Sequence, residues 1–254
     1  MILAIDIGNT NISIGGFFGD EPSFVIRIST NTHMTEDEYA SRLLGILSMH
    51  NVGEGDVRGA IISSVVPKLN NVVKKAVNLV YGVDALLVGP GVKTGIGIHC
   101  DNPASVGADL ICAAVAANQL YKAPCLIVDM GTATKMTLVD KKGAFAGVSI
   151  IPGVLMGLDA LAVRTAQLPQ VSLDAPTTVI GKNTVDCMKS GVIYGNASLV
   201  DGMIDRINEE VGEELPVYAT GGLASVIVGH CKHKITMDEH LVLKGLYMIY
   251  NKNK

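Results

Sequence analysis

One short pattern occurs twice in this chain, nearly half its length apart. Met1-Ile-Leu-Ala-Ile-Asp6 is an apolar run that ends in a carboxylate and passes into Gly8-Asn9-Thr10; Cys125-Leu-Ile-Val-Asp129 does the same and passes into Gly131-Thr132. Each run leads into a second apolar stretch, Ile12–Phe17 in one case and Lys135–Val139 in the other. A third follows each time, Phe24–Ser29 and Phe145–Ile150. An apolar strand, a tight polar turn and a returning strand form a β-hairpin. The interval is far too long for a solenoid repeat. It predicts an internal duplication, two β-β-β-α-β-type halves joined near a helix over Ser105–Tyr121.

The remaining segments fit an α/β alternation. Thr35-Glu-Asp-Glu38 reads as a helix start, with Thr35 as N-cap and Glu38 closing a capping box. Gly59–Val66 reads as a buried strand that stops at Pro67, Leu69–Val80 as a helix and Ala85–Val88 as a strand. In the second half, helices are expected over Pro152–Arg164 and Ala197–Val211, a strand over Val217–Thr220, and a closing helix over Asp238–Tyr250. The expected fold is α/β, in two domains over residues 1–115 and 116–254.

Composition narrows the function classes. The 254 residues carry a net charge of −4, with Lys and Arg scattered. Nucleic-acid binding needs a basic face, so no nucleic-acid partner is expected. No apolar run is long enough to cross a membrane, and no basic n-region opens the chain, so neither a membrane partner nor a leader is expected. The five cysteines (100, 112, 125, 187, 231) form no CxxC pair. They read as reduced thiols of a cytoplasmic protein rather than as a disulfide framework or zinc site. HExxH, GxSxG and GxGxxG are all absent, which disfavours zincin, serine-hydrolase and dinucleotide chemistry.

Four motifs can carry chemistry. In Asp6-Ile-Gly-Asn-Thr10 the carboxylate can hold Mg²⁺ directly or through water, Gly8 allows close backbone approach, and the N–H groups of Asn9 and Thr10 can donate to phosphate oxygens. An ordinary hairpin turn explains the same residues about as well. Asp129-Met-Gly-Thr-Ala-Thr134 has the same logic, and the pairing of two acidic strand ends favours a nucleotide site over two fortuitous hairpins. Thr220-Gly221-Gly222 after a strand offers a flat backbone surface for adenine or ribose, although a plain strand–helix turn would read the same. Gly107-Ala-Asp109 opens a helix, whose dipole keeps a carboxylate ionised. Such a carboxylate can accept the proton of an alcohol during phosphoryl transfer, or can simply cap the helix.

Together these motifs resemble the type III pantothenate kinases. Asp6-Ile-Gly-Asn-Thr10, Ser63-Ser-Val-Val-Pro67, Asn102-Pro103, Gly107-Ala-Asp109, Asp129-Met-Gly-Thr-Ala133, Ile151-Pro-Gly153, Asn183-Thr184 with Ser190-Gly191, and Thr220-Gly-Gly222 occur in that family's order over nearly the whole chain. The resemblance implies two actin-like (ribonuclease H-like) domains, each a mixed β-sheet flanked by helices, with a cleft between them. It implies phosphorylation of pantothenate by ATP, the first step of coenzyme A synthesis, by a homodimer that uses Mg²⁺ and a monovalent cation, K⁺ or NH₄⁺. Carried over by position, Asp6, Gly8, Asn9, Thr10, Asn11, Ser13, Thr132, Gly221 and Gly222 contact ATP, with Asp6 toward Mg²⁺. Asp109 is the general base; Cys100, Gly107, Ala108, Asp109, Leu110 and Thr184 face pantothenate; Asp129 holds the monovalent cation. Two positions depart from the family pattern: Leu110 stands where Arg is usual and Cys100 where Tyr is usual. Both lie on the acceptor side, so an actin-like kinase of another small alcohol, or an inactive nucleotide-binding regulator, stays open at the level of sequence.

Overall fold

A computed structural model describes residues 1–164 and 168–254. By contact the chain divides into two units, Met1–Tyr121 with His240–Lys254, and Lys122–Glu239.

The first unit contains β1 (Ile2–Ile7), β2 (Asn11–Phe17), β3 (Pro22–Ser29), α1 (Glu36–Ser48), β4 (Gly59–Ser64), α2 (Pro67–Tyr81), β5 (Leu86–Leu87), α3 (Ala108–Leu120) and α7 (Leu241–Lys252). Its sheet runs β3-β2-β1-β4-β5. β1 lies antiparallel to β2 and parallel to β4. It is therefore a central strand, which is why Ile2–Ile5 reads as an unbroken apolar run rather than an alternating one. One face of the sheet, through Leu3, Ile5, Ile7, Ile12, Ile14 and Ile62, joins a core with Tyr39, Leu43 and Leu47 of α1 and Leu69, Val73 and Val77 of α2.

The predicted capping box of α1 is present, with Glu38 N donating to Thr35 Oγ1 at 3.4 Å and Thr35 N donating to Glu38 Oε2 at 2.7 Å. α2 starts earlier than its apolar pattern suggests, because Pro67 occupies its first turn, where the missing N–H costs nothing. α3 packs on α7, and at their contact a Cβ on Gly245 would come within 1.9 Å of Cys112 O. Only a residue without a side chain lets the two backbones approach so closely. The terminal helix thus belongs to the first unit, although the sequence order puts it in the second half.

The second unit contains β6 (Cys125–Met130), β7 (Ala133–Val139), β8 (Phe145–Pro152), α4 (Val154–Arg164), α5 (Thr184–Val211), β9 (Val217–Thr220), α6 (Ala224–Val228) and β10 (Ile235–Met237). Its sheet runs β10-β9-β6-β7-β8. Read from the other edge, this is the first sheet's order with each strand replaced by its counterpart: β6 for β1, β7 for β2, β8 for β3, β9 for β4 and β10 for β5. The duplication inferred from the two acidic strand ends is therefore a duplication of topology. α5 is 28 residues long and begins well before the expected Ala197. Ser190, Gly191, Gly195 and Asn196 hide its first half from a propensity reading. Val192, Ile193, Ala197, Val200 and Ile204 share one buried face with the sheet and override that local preference.

Candidate active site

In the first unit, Asp6 is the last residue but one of β1 and is half-buried between two hydroxyl residues in register with it: Ser13 across the antiparallel pair and Ser63 across the parallel one. Ser63 is completely buried, and its hydroxyl has no hydrogen-bond partner. An unpaired buried hydroxyl costs on the order of 1–3 kcal/mol, so its position beside the carboxylate calls for a ligand. The turn after β1 is held internally: Gly8 N donates to Asn11 O at 2.9 Å, and Thr30 Oγ1 donates to Gly8 O at 2.7 Å. Gly8 N–H is thus committed within the loop, while Asn9, Thr10 and Asn11 lie exposed.

Asp109 is in the first turn of α3, after Gly107 at the N-cap and Ala108. Its Oδ1 accepts from Leu110 N at 2.9 Å, so the carboxylate folds back over the helix start, where the dipole favours its charge. Leu110 is buried at 7% exposure, so its side chain belongs to the packing of α3. Cys112, also buried, lies beside the Ser63 hydroxyl. Its thiol is pushed well above the ordinary range, first by desolvation and then by the negative charges of Asp6 and Asp109. That shared influence brings Asp6, Ser63, Asp109 and Cys112 into one neighbourhood. Cys112 carries no sequence signal, being one small residue in an apolar helix. Cys100 is half-buried in the irregular stretch before a 3-10 turn, Pro103–Ser105.

The second unit assembles a matching group. Asp129 is the last residue but one of β6, with Lys135 directly across on β7 and Thr220 alongside on β9. Lys135 Nζ lies 2.6 Å from Asp129 Oδ2. Thr132 is exposed at the hairpin tip, where Gly131 N donates to Ala133 O at 3.2 Å. Gly221 has φ +95°, in the left-handed region, and a Cβ there would lie 2.6 Å from Met130 O and 2.7 Å from Asp129 Oδ1. Its backbone is pressed onto the β6–β7 hairpin, and Leu223 N donates to Met130 O at 3.2 Å to secure it. Gly222 follows, exposed. Asp129, Thr132, Gly221 and Gly222 are thus brought together. Thr184 stands elsewhere in the unit, exposed in the first turn of α5, where Asn183 caps the helix by accepting from Asp186 N at 3.0 Å.

Among the described residues, no three His, Cys, Asp or Glu side chains converge on a point that could hold a metal. None of the described helices is long and apolar enough to cross a membrane.

A sequence profile described as type III pantothenate kinase matches residues 2–206. A type III pantothenate kinase of an Exiguobacterium species is 44% identical over 254 residues, covering all of both chains. The type III pantothenate kinase of Brevibacillus brevis is 41% identical, again over the full length of both. This chain belongs to the type III pantothenate kinase family. Among solved structures, the activator of the 2-hydroxyisocaproyl-CoA dehydratase from Clostridium difficile, with bound ADPNP, superposes with TM-score 0.58 at 14% identity, covering 99% of this chain and 95% of that one. Component A of the (R)-2-hydroxyglutaryl-CoA dehydratase from Acidaminococcus fermentans gives TM-score 0.56 at 15% identity, covering 100% and 99%. These likenesses concern the fold, which is that of the actin-like ATPases and sugar kinases.

Proposed function

We propose that this chain is a pantothenate kinase that transfers the γ-phosphoryl group of ATP to the primary hydroxyl of pantothenate, the first step of coenzyme A biosynthesis. The observation that carries the reading is full-length similarity to pantothenate kinases in a chain that retains an acidic end on both central strands and an Asp in the first turn of α3.

In this reading Asp109 is the general base. Its carboxylate takes the hydroxyl proton as the alcohol oxygen bonds to the γ-phosphorus, the bond from phosphorus to the bridging oxygen breaks, and ADP leaves with the electron pair. Folding of Oδ1 onto Leu110 N fixes the carboxylate over the helix start. Phosphoryl transfer asks mainly for positioning and charge stabilisation. The turn carrying Asn9, Thr10 and Asn11, with Ser13, is assigned to the phosphates. Thr132 and the Gly221–Gly222 backbone are assigned to the rest of the nucleotide. Gly107, Ala108, Cys100 and Thr184 are assigned to pantothenate. Leu110 is assigned a packing role, which is how Leu is accommodated where Arg is usual.

Mg²⁺ fits Asp6. A hard cation wants oxygen donors and keeps several waters and substrate phosphates; here one carboxylate is flanked by two serine hydroxyls, one of them buried without a partner. When bound, the ion neutralises charge on the phosphates. The homodimer that the resemblance implies is in keeping with large apolar side chains left in solvent on the second unit, among them Ile150, Met156, Val163 and Ile180. A cytoplasmic location is supported by five free cysteines.

The test is an acceptor panel of pantothenate, pantetheine, glycerol and a hexose, with ATP and Mg²⁺ and detection of the phosphorylated product by mass spectrometry. Phosphopantothenate as the dominant product supports the assignment. Preferential phosphorylation of another alcohol would replace it with a different acceptor.

A further inference from the structure

The two hairpins that bear the acidic strand ends differ at one equivalent position. Asp6 stands directly across from Ser13; Asp129 stands directly across from Lys135. The parallel neighbours are alike, Ser63 beside Asp6 and Thr220 beside Asp129, both short hydroxyls. In a duplicated fold the contrast between Ser13 and Lys135 therefore separates the two sites. The first Asp faces a neutral residue, and the second faces a residue that brings its own positive charge.

Directly opposed residues on one face of an antiparallel pair have Cβ atoms about 5 Å apart, so a lysine at this position reaches the carboxylate without leaving the sheet. The ammonium is at hydrogen-bonding distance, 2.6 Å, and the two side chains are only 17% and 15% exposed. Oδ1, the other oxygen, faces the Gly221 backbone. The group that the family resemblance places at Asp129, a free monovalent cation, does not fit this arrangement. It would have to share one carboxylate with a charged ammonium already bound there, and like charges at that separation repel.

We infer that Lys135 is a built-in cation: its ammonium takes the place of K⁺ or NH₄⁺ at Asp129, and the enzyme works without a monovalent cation in solution. The inference rests on the kinase reading above. Lys135 is a positioning residue in this account. It holds Asp129, and through it the Gly131–Thr132 tip and the Gly221 backbone that the nucleotide uses. Because the charge is tethered, its local concentration is set by the chain and not by the salt in the buffer.

The experiment compares wild type, Lys135→Met and Lys135→Arg in buffers whose monovalent cation is choline, Na⁺, K⁺ or NH₄⁺. Two quantities are read: pantothenate-dependent turnover, and affinity for a non-hydrolysable ATP analogue by calorimetry. Wild type is expected to change by less than about twofold between choline and K⁺, whereas Lys135→Met, similar in length but uncharged, loses about tenfold or more in analogue affinity in choline and regains most of it in K⁺ or NH₄⁺. Lys135→Arg stays indifferent to salt. Activation of wild type by K⁺ of about tenfold or more, the usual range for a coupled ligand, overturns the inference. So does a Lys135→Met protein that binds the analogue equally well in choline and K⁺. Should Lys135→Met fail to fold, the wild-type comparison of analogue binding decides alone. That binding arm involves no acceptor, so absence of pantothenate phosphorylation in every salt counts against the kinase reading while the binding result still judges Lys135.

Discussion

Replacing Gly221 by alanine tests how the second half of the site is built. The residue has φ +95°, and a Cβ there would lie 2.6 Å from Met130 O, 2.7 Å from Asp129 Oδ1 and 2.7 Å from Met130 C. Two costs add. Holding a residue with a side chain in that backbone region costs roughly 1–3 kcal/mol. Forcing a methyl group against fixed backbone costs roughly another 1–3 kcal/mol, as overpacking does in other well-packed sites. The total is about 2–6 kcal/mol, and at about 2–4 °C per kcal/mol for a chain of this size the melting temperature should fall by on the order of 10 °C. The backbone can also relieve the overlap by moving away from Asp129, which would loosen the Lys135 pair and weaken nucleotide affinity. The assay is a thermal melt by circular dichroism together with calorimetric titration of an ATP analogue. Gly195→Ala is the internal control. It is exposed on α5 with nothing within 4 Å of the new Cβ, and the substitution should stabilise by about 0.5–1 kcal/mol through helix propensity. A Gly221→Ala protein with the wild-type melting temperature and nucleotide affinity would refute the close-approach reasoning.

Three further outcomes are expected. Asp109→Asn, whose amide oxygen can still accept from Leu110 N, should lower kcat by roughly 10²–10⁴-fold, the usual worth of a general base, while leaving ATP affinity within about threefold; turnover near wild type would remove Asp109 from that role. Ser63→Ala deletes a buried hydroxyl that has no partner, so the unliganded protein should be as stable or gain up to about 1 kcal/mol, while the Mg²⁺ concentration for half-maximal activity rises; a destabilised protein with unchanged Mg²⁺ dependence would contradict this. At alkaline pH the buried Cys125 thiol, pushed up by desolvation to about 12, stays protonated in the folded chain while the unfolded chain loses that proton near about pH 8.5. Its contribution is therefore complete below about pH 8.5 and falls by about 1.4 kcal/mol per pH unit above it, until the folded thiol itself titrates. Urea melts between pH 8 and 11 should show a shallower decline for Cys125→Ala than for wild type, and parallel declines would sink the argument.

Most of the fold was legible because its strongest signals are local. A central strand buried on both faces shows as an apolar run, and the two such runs ending in Asp6 and Asp129 marked the duplicated sheets. The capping box at Thr35–Glu38 announced the start of α1. What the sequence hid depends on tertiary packing. The first half of α5 contains residues that disfavour helix locally and is held by its buried face. The two-residue β5 and the short β10 are too brief for periodicity to register. The terminal helix belongs with α3 because Gly245 fits against Cys112 O, a contact between residues far apart in the chain.

The candidate site was partly legible in the same way. Asp6, Asp109, Asp129 and the Gly221–Gly222 turn stand out as chemistry-bearing residues at element ends. Ser63 did not stand out as a separate residue, because its significance lies in being buried, unpartnered and in register with Asp6. In the sequence Lys135 shows only as the start of a strand. Pairing the two hairpins residue by residue would have set it opposite Asp129 and exposed the contrast with Ser13. Leu110 shows the converse: a position assigned to substrate by resemblance is filled here by a buried packing side chain.

The most direct test of the central claim is ADP release by the purified protein with ATP and Mg²⁺, measured with and without pantothenate, in wild type and in Asp109→Asn. ADP release that requires pantothenate in wild type and collapses in Asp109→Asn is the predicted result. ADP release indifferent to pantothenate, or none at all from protein that binds ATP, would contradict the assignment of this chain as a working pantothenate kinase.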